Sequence, residues 1–210
     1  MVDIQQPVLS GLIVGDESAD TIVATTGGMV DVTLDAQAGD DRITGNNVNE
    51  NGIGILSSAI DGGAGNDSIT GAATGANSVG IVDTGIYGGE GNDTIVARGT
   101  NSGIQGAILV GGAGDDIFDI QSGTGSIAGE TGNDTIILQG ARADYNLIPI
   151  DEVNTVIKVE GISNGTQIIT AQLEEFQFSD IVIPVDQIFA GGIPTDPNNP
   201  FDPGGGGPIM

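Results

Sequence analysis

Six aspartates, Asp20, Asp41, Asp67, Asp93, Asp116 and Asp134, share one register, with a large apolar residue two places after each and another seven places before. The residues after are Ile22, Ile43, Ile69, Ile95, Phe118 and Ile136; those before are Ile13, Leu34, Ile60, Ile86, Leu109 and Ile127. A register held six times is an internal repeat, and it restricts the chain to one unit stacked on the next, with the apolar residues forming a continuous column. The aspartates are spaced by 21, 26, 26, 23 and 18 residues. Because their apolar flankers never leave register, the variable length must lie on the opposite side of each coil.

The segment before the aspartate is glycine-rich. It reads Gly62-Gly63-Ala64-Gly65-Asn66-Asp67, Gly88-Gly89-Glu90-Gly91-Asn92-Asp93 and Gly111-Gly112-Ala113-Gly114-Asp115-Asp116 in three successive units. A tight turn of this kind exposes backbone carbonyls, and glycine permits the backbone angles it needs. Calcium takes six to eight hard oxygens at about 2.3 to 2.6 Å, which a rim of carbonyls plus one carboxylate per turn can supply. The apolar residue two places on alternates to the same side of the following strand and anchors the turn to the core. Without a cation the aspartates would stack as a column of like charge.

These turns match the pattern GGxGxDxU and resemble the RTX, or hemolysin-type, calcium-binding repeat family over residues 10–138. The resemblance implies a parallel β-roll in which carbonyls of two neighbouring turns and both their aspartates hold each calcium ion. Carried onto this chain, Gly62, Ala64 and Asp67 would face Gly89, Gly91 and Asp93, and Gly88, Glu90 and Asp93 would face Gly112, Gly114 and Asp116. Gly63, Gly65, Gly111 and Ala113 complete the same turns, and Asp41 and Asp134 carry the pattern to either side. Ala36-Gln37-Ala38-Gly39-Asp40-Asp41 and Gly15-Asp16-Glu17-Ser18-Ala19-Asp20 each lack two glycines, and Gly129-Glu130-Thr131-Gly132-Asn133-Asp134 lacks one. Sites using these turns are expected to be weaker, and the one at Asp20 to stand empty.

Composition points the same way. With 29 acidic against 4 basic residues, a net charge of −25, the chain repels phosphodiesters and anionic lipid, so neither nucleic acid nor membrane insertion is expected and cations are the natural ligands. Having no Cys and no His, it can build neither disulfides nor imidazole chemistry. Aromatics are only 3%, so stacked Ile, Leu and Val must supply the core. Arg42, Arg98, Arg142 and Lys158 are the only cations and do not cluster, and with so few aromatics for sugar stacking the chain is not expected to be an enzyme.

Asn51 and Asn77 share a register on the far side of the two 26-residue units, and Asn101 falls one residue out. This predicts a second, wider turn and a short added strand in each. The fold expected is therefore all-β, a parallel β-roll or β-helix with widened rungs and calcium turns on one edge only. From residue 139 the repeat stops, and residues 139–190 read as a β-rich capping region. Ala143-Asp144-Tyr145 and Leu173-Glu174-Glu175-Phe176-Gln177-Phe178-Ser179-Asp180 resemble the segment that often follows such repeats. Glu174 and Glu175 themselves read as a solvated face. Residues 191–210, rich in Gly and Pro, are expected to be disordered.

Met1-Val2-Asp3-Ile4-Gln5-Gln6-Pro7 has neither the basic nor the apolar region of a Sec signal. The family resemblance implies a secreted, extracellular protein exported by type I secretion machinery. The expected function is calcium binding that completes the fold of a structural or export scaffold; the alternative is a calcium-dependent module that binds polysaccharide or a cell surface.

Overall fold

The computed structural model describes residues 1–190; the expected disordered tail, 191–210, lies outside them. The chain winds into stacked coils. The first holds β1 (Asp3–Gln6) and β2 (Leu9–Val14), and the second β3 (Thr21–Ala24) and β4 (Met29–Asp35). The next two have three strands each: β5 (Arg42–Asn47), β6 (Ile53–Leu56) and β7 (Ala59–Ala64), then β8 (Ser68–Ala73), β9 (Val79–Val82) and β10 (Gly85–Glu90). In the fifth, β11 (Thr94–Gly99) leads to one long strand, β12 (Ser102–Ala113). The sixth has β13 (Ile117–Ile120) and β14 (Gly123–Thr131), and β15 (Thr135–Leu138) begins a seventh. The protein is a parallel β-roll, and its first coil starts at Asp3 rather than near residue 10. No aspartate turn precedes β1, so the repeat gives no sign of it; its backbone nonetheless pairs with β3, Ile4 opposite Ile22.

Sheet register turns the predicted columns into packed stacks. Ile22, Ile43, Ile69, Ile95, Phe118 and Ile136 lie opposite one another down one sheet and are all buried. Ile13, Leu34, Ile60, Ile86, Leu109 and Ile127 do the same in the other. The added strands β6 and β9 contribute a third stack, Met29, Ile55, Ile81 and Ile104.

This third stack accounts for the variable coil length. It sits over the column Ala24, Gly45, Gly71, Ala97, and a Cβ placed on Gly45 would lie 2.6 Å from Ile55 Cγ1, while one on Gly71 would overlap Ile81. In the two narrow coils that follow, the same column carries Ile120 and Leu138, whose own side chains fill the space. Interior volume stays roughly filled as the coil shortens, which close-packed cores require.

The second sheet bends where the added strands meet the repeat strands. Asp31, Ser57 and Asp83 sit at the bend with φ of 53°, 48° and 47°, and Gly106 follows at 65°. Beside it the Ser58 and Thr84 hydroxyls accept the amides of Val32 and Ser58, at 3.2 and 3.3 Å. On the far side Asn51 and Asn77 share left-handed φ values of 54° and 55°, and the Asn51 amide donates to the Ala76 carbonyl.

After β15 the chain leaves the roll through a 3-10 turn, Arg142–Asp144, and runs through β16 (Tyr145–Asp151), β17 (Val156–Gly161) and β18 (Gln167–Ala171). It then forms β19 (Glu175–Gln177), β20 (Val182–Pro184) and a five-residue helix, α1 (Val185–Phe189). The helix, which no apolar period announces, follows Pro184 and buries Val185 and Ile188. β18 and β19 each add a parallel strand to the roll's end, on β14 and β15, while β17 and β20 pair antiparallel outside them. The two C-terminal signature segments meet: Asp180 accepts the Arg142 amide at 2.8 Å, and the Tyr145 and Phe178 rings lie 5.6 Å apart.

A test of the width rule follows from Gly71. Gly71→Val should lower stability in calcium by about 1 to 3 kcal/mol through overpacking against Ile81. Adding Ile81→Ala should make the double variant less destabilised than the sum of the two single changes. Urea unfolding of the four proteins measures the coupling; strict additivity would mean that the two side-chain positions do not compete for space.

Candidate calcium site

The six aspartate turns lie on one edge of the roll, each joining a strand of the second sheet to the next strand of the first. Within them the second and fourth positions have positive φ: Gly63 and Gly65, Gly89 and Gly91, Gly112 and Gly114. The incomplete turns keep this shape with a strained residue at the second position, Gln37 at 76° and Glu130 at 78°. No residue from Asp16 to Asp20 has positive φ, so the first turn lacks the shape of the others. The second-position glycines also approach the turn before them so closely that a Cβ on Gly63, Gly89 or Gly112 would overlap the carbonyl of Gln37, Gly63 or Gly89.

The aspartates form one continuous ladder. Oδ1 of Asp41, Asp67, Asp93, Asp116 and Asp134 accepts the amide of the preceding unit's aspartate, at 2.6, 2.7, 2.7, 2.8 and 2.8 Å. All five carboxylates are at most 2% exposed, and the Oδ2 of each is buried without a hydrogen-bond donor. Asp20 differs: its Oδ2 accepts the Asp16 amide at 2.9 Å and its Oδ1 the Val2 amide.

Burial raises the carboxyl pKa of these groups, against the lowering effect of the donated amide. Asp41, Asp116 and Asp134 are pushed up to about 6 and Asp93 to about 7, with neighbouring carboxylates adding to the rise; Asp67 is raised for the same reasons.

The oxygens around each orphaned Oδ2 suit a hard cation. A Cβ on Gly62 would lie 2.5 Å from both Asp67 Oδ2 and the Gly88 carbonyl, and one on Gly88 would overlap Asp93 Oδ2 and lie 2.6 Å from the Gly111 carbonyl. Glycine at the first position thus leaves the carboxylate and the next turn's carbonyl open toward each other. Ala64, Glu90 and Ala113 stack at the third position, and their carbonyls accept the amides of Gly39, Gly65 and Gly91 at 2.7 Å each, leaving a second lone pair. Among the described residues no three acidic side chains converge, so a cation here would draw chiefly on carbonyls. That donor set fits calcium.

A second ladder runs along the exposed rim. Asp40, Asn66, Asn92 and Asp115 each accept, through a side-chain oxygen, the amide of Asn66, Asn92, Asp115 and Asn133 respectively, at 2.8 to 2.9 Å. Its signal in the sequence is Asn or Asp at the fifth position of five turns, broken only by Ala19 in the first. Glu174, read from sequence as part of a solvated face, is exposed and in addition ends the aspartate ladder: its Oε2 accepts the Asp134 amide at 2.8 Å.

The model of the RTX calcium-binding nonapeptide repeat matches this chain in four copies, over residues 14–49, 59–73 and 86–101. These segments are RTX calcium-binding repeats, and they contain the turns at Asp20, Asp41, Asp67 and Asp93. The turns at Asp116 and Asp134 lie beyond them and continue the same ladder. No curated protein matches the chain. Among the described residues no helix is long and apolar enough to cross a membrane.

Two outcomes are expected. Asp93→Asn keeps an oxygen for the Asp67 amide but removes the charge, so calcium stoichiometry by calorimetry should fall; Asp20→Asn should leave it unchanged, because both Asp20 oxygens are already paired. Equal losses in the two variants would contradict the difference between the turns. In metal-free protein the folded aspartates hold protons up to about pH 6 to 7, against an ordinary value of 3.8, so the folded chain binds more protons than the unfolded one within that window. Stability should therefore rise as pH falls from 7.5 to 5, read as growing β-sheet circular dichroism; a decrease would show that the buried carboxylates are not what limits the metal-free roll.

Proposed function

We propose that calcium ions fill the gaps between successive aspartate turns and complete the folding of this protein, which serves as a secreted structural or export scaffold. The observation that carries the reading is the column of five buried Oδ2 atoms without donors; at Asp67, Asp93 and Asp134 the space left by a first-position glycine also opens onto a carbonyl of the next turn. A buried carboxylate without a partner is costly, and a divalent cation shared between two turns supplies the missing partner to both. Asp67, Asp93 and Asp116, with Gly62, Ala64, Gly88, Glu90, Gly111 and Ala113, form the central sites; Asp41 and Asp134 extend them. Because the sites exist only when turns are stacked, binding and folding are one equilibrium. Such a chain stays unfolded where calcium is scarce and folds where it is plentiful, which suits passage through a type I secretion channel before extracellular folding.

A binding role on the same scaffold has one specific support. Tyr87, 40% exposed, and Ile108 and Val110 line a shallow trough on the outer face of the second sheet, over the small residues Ala59 and Gly85. Asp35 and Asp61 stand directly opposite each other at its side. An exposed ring beside carboxylate acceptors suits the apolar face and hydroxyls of a neutral sugar. Binding on a glycan array that requires calcium and is lost in Tyr87→Ala would support a polysaccharide or cell-surface partner; binding indifferent to Tyr87 would remove this support.

The calcium reading is tested by far-UV circular dichroism at low ionic strength in chelator, then in calcium, then in magnesium. The repeat region is expected to be largely unfolded in chelator, β-rich in calcium and little changed by magnesium, whose smaller octahedral shell fits a carbonyl-lined site poorly. The same β spectrum in all three would mean that the aliphatic stacks alone hold the roll.

A further inference from the structure

The repeat motif ends at Asp134, but the coil does not. Ala171 pairs with Ala128 and Glu175 with Thr135, so β18 and β19 form one more rung after an excursion through β16 and β17. Between them Gln172-Leu173-Glu174 takes the place of the turn Gly129–Asp134, with half as many residues. Gln172 follows Ala171 as Gly129 follows Ala128, and Glu174 precedes Glu175 as Asp134 precedes Thr135. Gln172 at φ 52° closes the shorter turn, and the longer side chain of Glu174 restores the reach that the missing residues remove.

The oxygens at this last gap are arranged like those of the central ones, except that the second carboxylate, Glu174, is exposed. Glu174 Oε2 accepts the Asp134 amide at 2.8 Å, as Asp93 does for Asp67. Asp134 is fully buried, and its Oδ2 has no donor. A Cβ on Gly129 would overlap both Asp134 Oδ2 and the Gln172 carbonyl, the relation that Gly62 has to Asp67 Oδ2 and the Gly88 carbonyl. The orphaned carboxylate oxygen of Asp134 thus meets a first-position carbonyl and a second carboxylate that come from a turn with no glycine and no aspartate.

We propose that the Gly129–Asp134 turn and the Gln172–Glu174 turn together form a further calcium site, which clamps the C-terminal strands to the end of the roll. It rests on the calcium reading above and adds a site where no nonapeptide stands. The ion would join residues about 40 positions apart in sequence, so calcium would order the segment from β18 to β20 as well as the repeats.

The test is calorimetric titration of the full chain with calcium, comparing the unaltered protein, Glu174→Gln and the exposed control Glu50→Gln. Gln keeps an oxygen for the Asp134 amide and removes only the charge. Glu174→Gln is expected to bind one ion fewer with the remaining affinities unchanged, while Glu50→Gln behaves as the unaltered protein. Unchanged stoichiometry and affinity in Glu174→Gln, with the unaltered protein binding calcium, would overturn this site alone; no binding by the unaltered protein would overturn the calcium reading itself. Hydrogen exchange on the unaltered protein gives the answer even if Glu174→Gln fails to fold. Calcium should slow exchange of the amides from Gln172 to Gln177 by about tenfold or more; no slowing there while the Asp67 and Asp93 amides respond would reject the site.

Discussion

A column of aspartates running through the edge of this roll sets the terms for the rest of the structure. Each carboxylate ties its rung to the one before by accepting an aspartate amide through Oδ1, and each from Asp41 to Asp134 leaves Oδ2 buried with no donor. Strands in a sheet are about 4.8 Å apart. At that spacing two unit charges repel by roughly 3 kcal/mol at an effective dielectric constant of about 20. The hydrogen bonds align the column while the charges oppose it. The aspartate pKa values are raised first by burial, with the neighbouring carboxylates adding to the rise, and the oxygens left along this edge form a donor set suited to calcium.

The aliphatic stacks fix where the column stands. Every aspartate is held between two buried apolar residues in register, so the turns cannot slip without moving side chains out of the core. Coil width is free to vary because it is compensated inside: Gly45 and Gly71 make room for Ile55 and Ile81 in the wide rungs, and Ile120 and Leu138 fill the space in the narrow ones. The bend at Asp31, Ser57 and Asp83 turns the added strands toward the core without disturbing the turn edge. One edge stays regular while the other changes.

A solenoid must also end, since an open rung exposes apolar side chains and unpaired backbone. Here β18 and β19 rejoin the two sheets after a hairpin has been inserted, so Phe176 continues the column from Ile136 and Glu174 continues the ladder from Asp134. The antiparallel strands β17 and β20 then lie outside them. Repeat and terminal unit therefore share a core and an electrostatic column, which makes their stabilities interdependent.

Much of this was legible in the sequence because a repeat converts spacing into geometry. Six aspartates in fixed register, with apolar residues at fixed offsets, determine the parallel stacking, the single turn edge and the calcium-compatible chemistry of Gly62–Asp67, Gly88–Asp93 and Gly111–Asp116. Asn51 and Asn77 likewise disclosed the wide turns and added strands. The first coil at β1, the bend at Ser57 and the five-residue helix left no periodic trace, since each depends on neighbours distant in sequence. The exposed ladder from Asp40 to Asn133 was visible as a preference for Asn and Asp, but its function as amide acceptor needed the rungs to be stacked. Glu174 shows the limit most clearly. Nothing near it resembles a nonapeptide, and only the return of the chain after β16 and β17 brings its carboxylate to the Asp134 amide.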